Sequence, residues 1–100
     1  MKLIWQDEAV EDLQTIYEYI ARDSALYAAE YIEKIMGHES AIIRFPNLGR
    51  IVPEYGDPHI REVFEGNYRI IYRVHEDKDR IDVLTVVHGA QELKDDIGNQ

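Results

Sequence analysis

Residues 60–75 read IREVFEGNYRIIYRVH, and residues 76–88 continue as EDKDRIDVLTVVH. Apolar side chains alternate with polar ones in three runs, which is the pattern of half-buried β-strands. The runs cover about 59–65, 68–75 and 80–88. Gly66 and Asn67 separate the first two runs, and both residue types tolerate the positive φ values of a tight hairpin turn. The stretch therefore predicts a three-stranded antiparallel meander.

The chain before the meander has a helical period. Within residues 9–20 and again within residues 27–45, apolar side chains recur three or four positions apart, which predicts two amphipathic helices joined as a hairpin. Pro46 ends the second helix, and residues 2–5 form a short apolar run typical of an opening strand. The predicted fold is α+β: an N-terminal strand, a helical hairpin and the meander, with the helices on one face of the sheet. No repeat or linker divides residues 1–100, so we expect one domain.

Pairing across the two turns predicts which side chains share a face of the sheet. A two-residue turn puts Phe64 opposite Arg69, and a four-residue loop puts Val74 opposite Ile81. The predicted core face holds Val63, Ile70, Tyr72, Val74, Ile81, Val83, Thr85 and Val87. The other face, which we expect to be partly open, holds Ile60, Glu62, Phe64, Arg69, Ile71, Arg73, Asp82, Leu84, Val86 and His88. A bulge would shift this parity by one residue.

The composition narrows the classes of function. The chain has 100 residues, no cysteine and a net charge of −9, which argues against a protein that coats nucleic acid through bulk electrostatics. Residues 1–45 carry four Lys/Arg against nine Asp/Glu, a balance of −5, whereas five arginines lie between residues 50 and 80. We therefore expect an acidic helical half and a local basic site. No apolar run approaches the roughly 20 residues of a membrane helix, so we expect a cytoplasmic protein without a membrane partner.

The sequence predicts no metal and no cofactor. Its four histidines are isolated, no HExxH spacing exists, and neither a Gly-rich phosphate loop nor a Ser-His-Asp arrangement is evident. Any chemistry is therefore expected on the open face of the sheet.

Three side chains are the catalytic candidates if the protein is a nuclease. Glu54 is the candidate base for a ribose 2′-hydroxyl, and Arg69 is the candidate to stabilise a phosphorane-like charge. His88 is the candidate to protonate the leaving 5′-oxygen. Such a trio suits metal-free RNA cleavage by internal transesterification. The structural alternative is that Glu62 pairs with Arg69 and that His88 merely ends a strand.

Four further side chains are the candidate binding residues: Arg50, Arg61, Arg73 and Tyr72. A structural alternative competes here too. Arg73, opposite Asp82, is more simply a cross-strand ion pair. Arg61 lies beside Tyr72 at the edge of the predicted core face, where an acidic helix residue is its expected partner.

The order and spacing of short motifs resembles the RelE/ParE toxin superfamily nearly from end to end. The matching segments are Leu3–Trp5, Ala9, Asp12–Leu13, Ile16, Tyr19–Ile20, Phe45–Pro46, Gly49–Arg50, Val52–Glu54, Ile60–Glu62, Tyr68–Tyr72 and Val87–Gln91. The resemblance implies a bacterial type II toxin, neutralised by an antitoxin from the same operon in a hetero-oligomer.

The superfamily divides by target. RelE-like members cut mRNA on the ribosome, whereas ParE-like members resemble gyrase inhibitors. Ile60 and Glu62 stand where RelE-like nucleases resemble one another in carrying lysines, and Gln91 stands where both branches often have arginine. Yet some relatives cut RNA with a glutamate, an arginine and a histidine, a set that Glu54, Arg69 and His88 match.

Three interpretations remain open. A ParE-like DNA gyrase inhibitor is favoured, a RelE-like ribosome-dependent mRNA endonuclease is the alternative, and a degenerate toxin that only binds its antitoxin is the third.

Overall fold

A computed structural model describes residues 1–93 of the chain. Its elements in chain order are β1 (Lys2–Trp5), α1 (Asp7–Ala21), α2 (Ala25–Met36), α3 (Glu39–Arg44), β2 (Arg50–Ile51), β3 (Ile60–Glu65), β4 (Tyr68–His75) and β5 (Arg80–His88), with a short 3-10 helix (Glu76–Lys78) before β5. The five strands form one sheet in the order β1-β5-β4-β3-β2. β1 runs parallel to β5, and the other pairs are antiparallel. The predicted α+β fold is confirmed.

Two details differ from the sequence prediction. The predicted second helix is two helices, α2 and α3, because the backbone turns at Gly37 and His38. At this turn the His38 ring lies 3.0 Å from the Glu65 carboxylate. The sheet also has a fifth strand, β2. It fits against β3 because Gly49 has no side chain: a Cβ atom there would lie 2.6 Å from the Glu62 carbonyl oxygen.

The main core lies between the helices and one face of the sheet. It contains Ala9, Leu13, Ile16, Ile35, Ile42, Ile70, Tyr72, Val74, Ile81, Val83 and Val86. The helical side chains in this set come from the apolar stripes of the helices, so the spacing that predicted the helices also predicted which surfaces they bury.

A second, smaller core covers the opposite face of the sheet. It contains Val52, Ile60, Ile71, Leu84 and Val87, with Tyr55 and Leu93 packed against it. The loop after β2 and the residues after β5 therefore shield much of the face that the sequence predicts to be partly open.

The strand register confirms one prediction and contradicts another. Across β3 and β4, Phe64 lies opposite Arg69 as predicted. Across β4 and β5, Val74 lies opposite Ile81 as predicted, but the register shifts by one residue between Ile71 and Tyr72. This β-bulge reverses the predicted faces of the last residues of β5: Val86 joins the main core, Val87 the second core, and His88 pairs with Tyr68.

The side chain of Asp12, on α1, fastens the strand beside the bulge. Its Oδ2 accepts hydrogen bonds from the Thr85 hydroxyl and, at 2.9 Å, from the Val86 backbone N–H. A bulge disturbs the regular ladder, so a nearby backbone donor needs another acceptor. The carboxylate of α1 supplies it.

Tyr72 is wholly buried, as its predicted place on the core face implies, so its ring is not exposed to a binding partner. Its hydroxyl donates to the Pro46 carbonyl at 2.8 Å and accepts from the Gly49 N–H at 2.9 Å. The side chain therefore ties the segment between α3 and β2 to the centre of the sheet.

Tyr72→Phe is expected to destabilise the fold by about 1–3 kcal/mol, because it leaves the buried Gly49 N–H and the part-buried Pro46 carbonyl without their partner. Urea unfolding measures the loss. The control is Tyr17→Phe on α1, a partly buried ring, for which we expect a change within about 0.5 kcal/mol. Equal losses in the two variants would contradict the anchoring role of Tyr72.

Candidate functional site

Four charged side chains form an alternating network on the face of the sheet away from the helices. Arg69 donates through Nη1 and Nη2 to both carboxylate oxygens of Glu54, at 2.7 and 2.8 Å, and through Nε to Glu62 at 2.6 Å. Arg50 donates through Nε to the other Glu62 oxygen at 2.6 Å. We call Arg50, Glu62, Arg69 and Glu54 the arginine–glutamate network.

Neighbouring strands and one loop bring the network together. Glu62 of β3 is the register partner of Arg50 in β2, and Arg69 of β4 is the register partner of Phe64. Glu54 comes from the loop after β2, which is held to the sheet by the Val52 N–H bond to the Ile60 carbonyl. The sequence placed Glu62 beside Arg69, and the loop then added Glu54.

Burial determines the electrostatics of the network. Arg69 is 4% exposed and Glu62 is 1% exposed. Their charges are compensated by each other and by Glu54. The hydrogen bonds from Arg69 lower the pKa of Glu54 to about 2, and the two carboxylates raise the pKa of Arg69. A buried charge is tolerated only when it is paired in this way.

These contacts restrict the chemistry that the network can perform. A general base works best when its pKa lies near the operating pH, and a carboxylate with a pKa of about 2 is a weak base at neutral pH. Arg69 directs its Nε, Nη1 and Nη2 donors to carboxylates of its own chain. The geometry is that of a structural clamp between the loop after β2 and the strands.

His88 does not join Glu54 and Arg69. The bulge in β5 turns it to the helix side of the sheet, where its ring contacts that of Tyr68, with 5.6 Å between the centroids. The neighbouring Val87 packs in the second core, on the network side. Of the three predicted catalytic residues, the structure therefore brings together two and separates the third.

His88 instead lines a cleft of about 580 Å³ between α1, α2 and the ends of β4 and β5. We call it the tyrosine cleft. Its lining residues are Asp12, Thr15, Ile16, Tyr19, Ile20, Tyr27, Tyr31, Asn67, Tyr68, Val86, His88 and Gln91. Burial raises the pKa of Tyr31 and of Tyr68, so both keep their phenolic protons at neutral pH. This cleft was not predicted from the sequence, although Tyr27 and Tyr31 stand four residues apart on one helix.

The remaining predicted binding residues differ in accessibility. Arg50 has a half-exposed side chain whose guanidinium carbon lies 5.2 Å from the centroid of the Phe64 ring. Arg61 is held by the carbonyls of Gly49 and Pro58, at 2.9 and 3.1 Å, rather than by the acidic helix residue that the sequence suggested.

Arg73 lies in register with Asp82, as predicted, and also approaches the Asp57 carboxylate at 3.8 Å. The Asp82 carboxylate has further neighbours in the His75 ring and the Arg80 guanidinium, each at 3.0 Å. Arg73 is thus part of a charged cluster at the end of the sheet away from Arg69.

We expect the network to make stability dependent on acid. Because the folded pKa of Glu54 lies near 2, below its ordinary 4.5, the unfolded chain binds more protons between these values. The stabilisation is present above about pH 4.5 and is lost as the pH falls toward 2. The free energy of unfolding, measured by urea titration across this range, should therefore decline less steeply in Glu54→Gln than in the wild type.

Glu76→Gln, in the exposed 3-10 helix, is the matched control and should keep the wild-type dependence on pH. A Glu54→Gln profile parallel to that of the wild type would mean that the clamp contributes nothing to folding.

The chain resembles several known toxins in fold. The solved structures that it resembles include a chain of the chromosomal ParDE toxin–antitoxin system from P. aeruginosa, with a TM-score of 0.72, 22% identity, and coverage of 88% of this chain and 95% of the other. They also include the isolated E. coli RelE toxin, with a TM-score of 0.64, 15% identity, and coverage of 91% and 86%. A chain of the intact E. coli RelBE toxin–antitoxin complex has a TM-score of 0.63 and 16% identity, with coverage of 91% of this chain and 98% of the other. At these identities the likeness shows the fold.

The sequence itself assigns the family. No curated protein matches the chain. Separately, every helix within residues 1–93 is too short or too polar to cross a membrane. The family model described as "ParE toxin of type II toxin-antitoxin system, parDE" matches residues 3–93. This match confirms the predicted superfamily and its favoured branch. The chain belongs to the ParE toxin family of type II toxin–antitoxin systems.

Proposed function

We propose that this ParE-family toxin arrests growth by binding DNA gyrase, that it does not cut mRNA, and that a cognate antitoxin neutralises it. One observation favours binding over cutting: His88 is separated from Arg69, and Arg69 is hydrogen-bonded to Glu54 and Glu62. Gyrase is proposed as the target because ParE-like members of the superfamily resemble gyrase inhibitors, and the family match supports that branch.

Internal transesterification needs a base, a cation and an acid around one phosphate. In this chain the candidate base and cation bind each other at 2.7 Å, and the candidate acid lies on the other side of the sheet. A substrate phosphate would have to displace Glu54 from Arg69, and it would still be out of reach of His88. This arrangement favours a protein that acts by binding.

The positions of the missing lysines support the same conclusion. Ile60 and Glu62 stand where RelE-like nucleases resemble one another in carrying lysines, and here both side chains are 1% exposed. Ile60 belongs to the second core and Glu62 to the arginine–glutamate network. Neither position offers an RNA phosphate a cation, and the net charge of −9 weakens long-range attraction of RNA.

An antitoxin partner is supported by relatives and by the surface. The solved structures that the chain resembles include toxin–antitoxin systems and complexes. Several large apolar side chains are more than half exposed, among them Tyr19 at 64%, Leu26 at 72% and Phe45 at 58%. Two exposed rings, Tyr19 and Tyr27, line one cleft together with Ile16 and Ile20, and a contiguous apolar patch marks a protein-binding surface. We therefore expect a hetero-oligomer with the antitoxin, in the cytoplasm, where gyrase acts.

The nuclease alternative rests on residue types: Glu54, Arg69 and His88 match the set with which some relatives cut RNA. The degenerate-toxin alternative rests on Gln91, which stands where both branches often have arginine.

Purified toxin is expected to inhibit supercoiling by gyrase and to leave transcripts intact in a translation extract. Glu54→Gln and the control Glu76→Gln should both retain growth arrest on induced expression, because neither change removes a reacting group from a binding toxin. Loss of a catalytic base typically costs about 100- to 10,000-fold in rate.

Two results would contradict the proposal. Cut transcripts that disappear in Glu54→Gln would establish the nuclease. Continued growth despite soluble, folded toxin would establish the degenerate form. Mapping transcript ends and measuring supercoiling on the same protein preparation separates these outcomes.

A further inference from the structure

One segment of the chain differs from the rest in charge. Residues 40–53 are the longest stretch without Asp or Glu, and they carry Arg44 and Arg50, whereas the whole chain has a net charge of −9. The stretch runs from α3 through the following turn into β2, which is an edge strand of the sheet. It is therefore a basic element on the border of an acidic protein.

Large apolar side chains on and beside this segment are exposed to solvent. Phe45 and Leu48 are 58% and 53% exposed, and Ile51 in β2 and Phe64 in β3 are 38% and 45% exposed. The Leu48 N–H donates to the Phe45 carbonyl at 2.8 Å, so these two residues close one tight turn. Aromatic side chains and arginine are the residues enriched in protein interfaces. We call the surface formed by these side chains and the two arginines the basic ridge; its members are Arg44, Phe45, Leu48, Arg50, Ile51 and Phe64.

Each arginine of the basic ridge lies against a ring. The guanidinium carbon of Arg44 is 5.6 Å from the centroid of the Phe45 ring, and that of Arg50 is 5.2 Å from the centroid of Phe64, within the distance of about 6 Å at which cation–π attraction acts. Within residues 1–93 Arg44 forms no ion pair, and the hydrogen bond from Arg50 to Glu62 uses Nε alone. The rings therefore hold both guanidinium groups while their Nη donors stay available to a partner.

The backbone of the basic ridge is fixed before a partner binds. The Tyr72 hydroxyl donates to the Pro46 carbonyl and accepts from the Gly49 N–H, and Arg61 donates to the Gly49 carbonyl at 2.9 Å. At the end of β2, the Val52 N–H donates to the Ile60 carbonyl at 3.1 Å. Because these bonds hold the segment at both ends, binding costs little ordering of its backbone.

The basic ridge lies apart from the tyrosine cleft. None of its members lines the cleft, and β3 and β4 separate β2 from β5 in the sheet. The two surfaces can therefore bind different partners.

The chemistry of the basic ridge favours a protein partner that carries carboxylates. One carboxylate can accept two parallel N–H donors from a guanidinium group, and apolar side chains next to it would cover Phe45 and Leu48. Binding to a nucleic acid depends on many cations that neutralise successive phosphates. The ridge instead offers two arginines with exposed apolar groups between them.

We propose that the basic ridge is the surface through which the toxin binds its target, and that the target presents carboxylates beside apolar side chains. The carboxylates pair with Arg44 and with the Nη donors of Arg50, and the apolar groups cover Phe45 and Leu48. Identifying this target as gyrase rests on the proposed function, whereas the charge and apolar character of the matching surface follow from the ridge alone.

Arg44→Gln removes one charge from the ridge, so it should raise the toxin concentration that half-inhibits supercoiling by gyrase about two- to tenfold. Arg44→Glu should raise it further, because like charges then face each other. Added salt should narrow the difference between the wild type and Arg44→Gln, since salt screens an exposed ion pair. The matched control is Arg22→Gln at the end of α1. Arg22 is also exposed and also lies 5.6 Å from a ring centroid, that of Tyr19, and its variant should inhibit like the wild type.

Phe45→Ala tests the apolar part of the ridge and should weaken inhibition about tenfold, as truncation of an interface ring does. Its control is Val10→Ala, a half-exposed apolar side chain on α1, which should leave inhibition unchanged. Urea unfolding of each variant shows whether the fold is retained. If Phe45→Ala is destabilised, the comparison of Arg44→Gln with Arg22→Gln decides, because both change exposed side chains.

The outcomes separate the ridge from the target. Equal inhibition by Arg44→Gln and Arg22→Gln would overturn the ridge and leave gyrase as the target. If the wild type does not inhibit gyrase, the proposed target is wrong, and growth arrest on induced expression then tests the ridge without reference to any one target. Arg44→Glu should relieve that arrest and Arg22→Glu should not, so equal arrest in both would overturn the ridge. A wild type that leaves growth unchanged would overturn both proposals.

Two further results would assign the ridge to another occupant and so overturn the inference. The first is saturable binding of RNA or duplex DNA that Arg44→Gln weakens, which would make phosphates the ligand. The second is self-association of the purified toxin that Arg44→Glu abolishes, measured by light scattering, which would make a second copy of the chain the occupant.

Discussion

The carboxylate of Asp12 holds α1 against the bulge in β5, and much of the surface chemistry depends on that contact. It accepts from the Thr85 hydroxyl and the Val86 N–H, just after the register of β4 and β5 shifts. Because of the shift, Val87 lies on the face away from the helices and His88 lies on the helix face. Simple alternation along β5 predicts the reverse. One extra residue in one strand therefore decides which charged and aromatic groups can meet.

The two faces of the sheet consequently carry different chemistry. The face away from the helices holds Arg69 between Glu54 and Glu62, with short hydrogen bonds and little exposure. Burying a guanidinium requires compensating charge, and the groups that compensate it also occupy its donors. In this ParE-family chain, a side chain that resembles a catalytic arginine serves to fasten a loop.

The helix face holds a cleft in which His88 continues a row of tyrosine rings. The acidic balance of the helical half is unfavourable for binding RNA. At the arginine–glutamate network, on the other face of the sheet, the charges satisfy one another.

The sequence by itself determined the α+β class, the β3–β4 register and the family, because hydrophobic period, a two-residue turn and motif order are local signals. It also placed Glu62 beside Arg69. Only the tertiary structure decided that α2 and α3 are separate, that the Tyr72 hydroxyl anchors the segment between α3 and β2, and that His88 leaves the face of Arg69. A bulge depends on a distant acceptor, here Asp12 some seventy residues from Thr85, and no alternation within one strand reports such a contact.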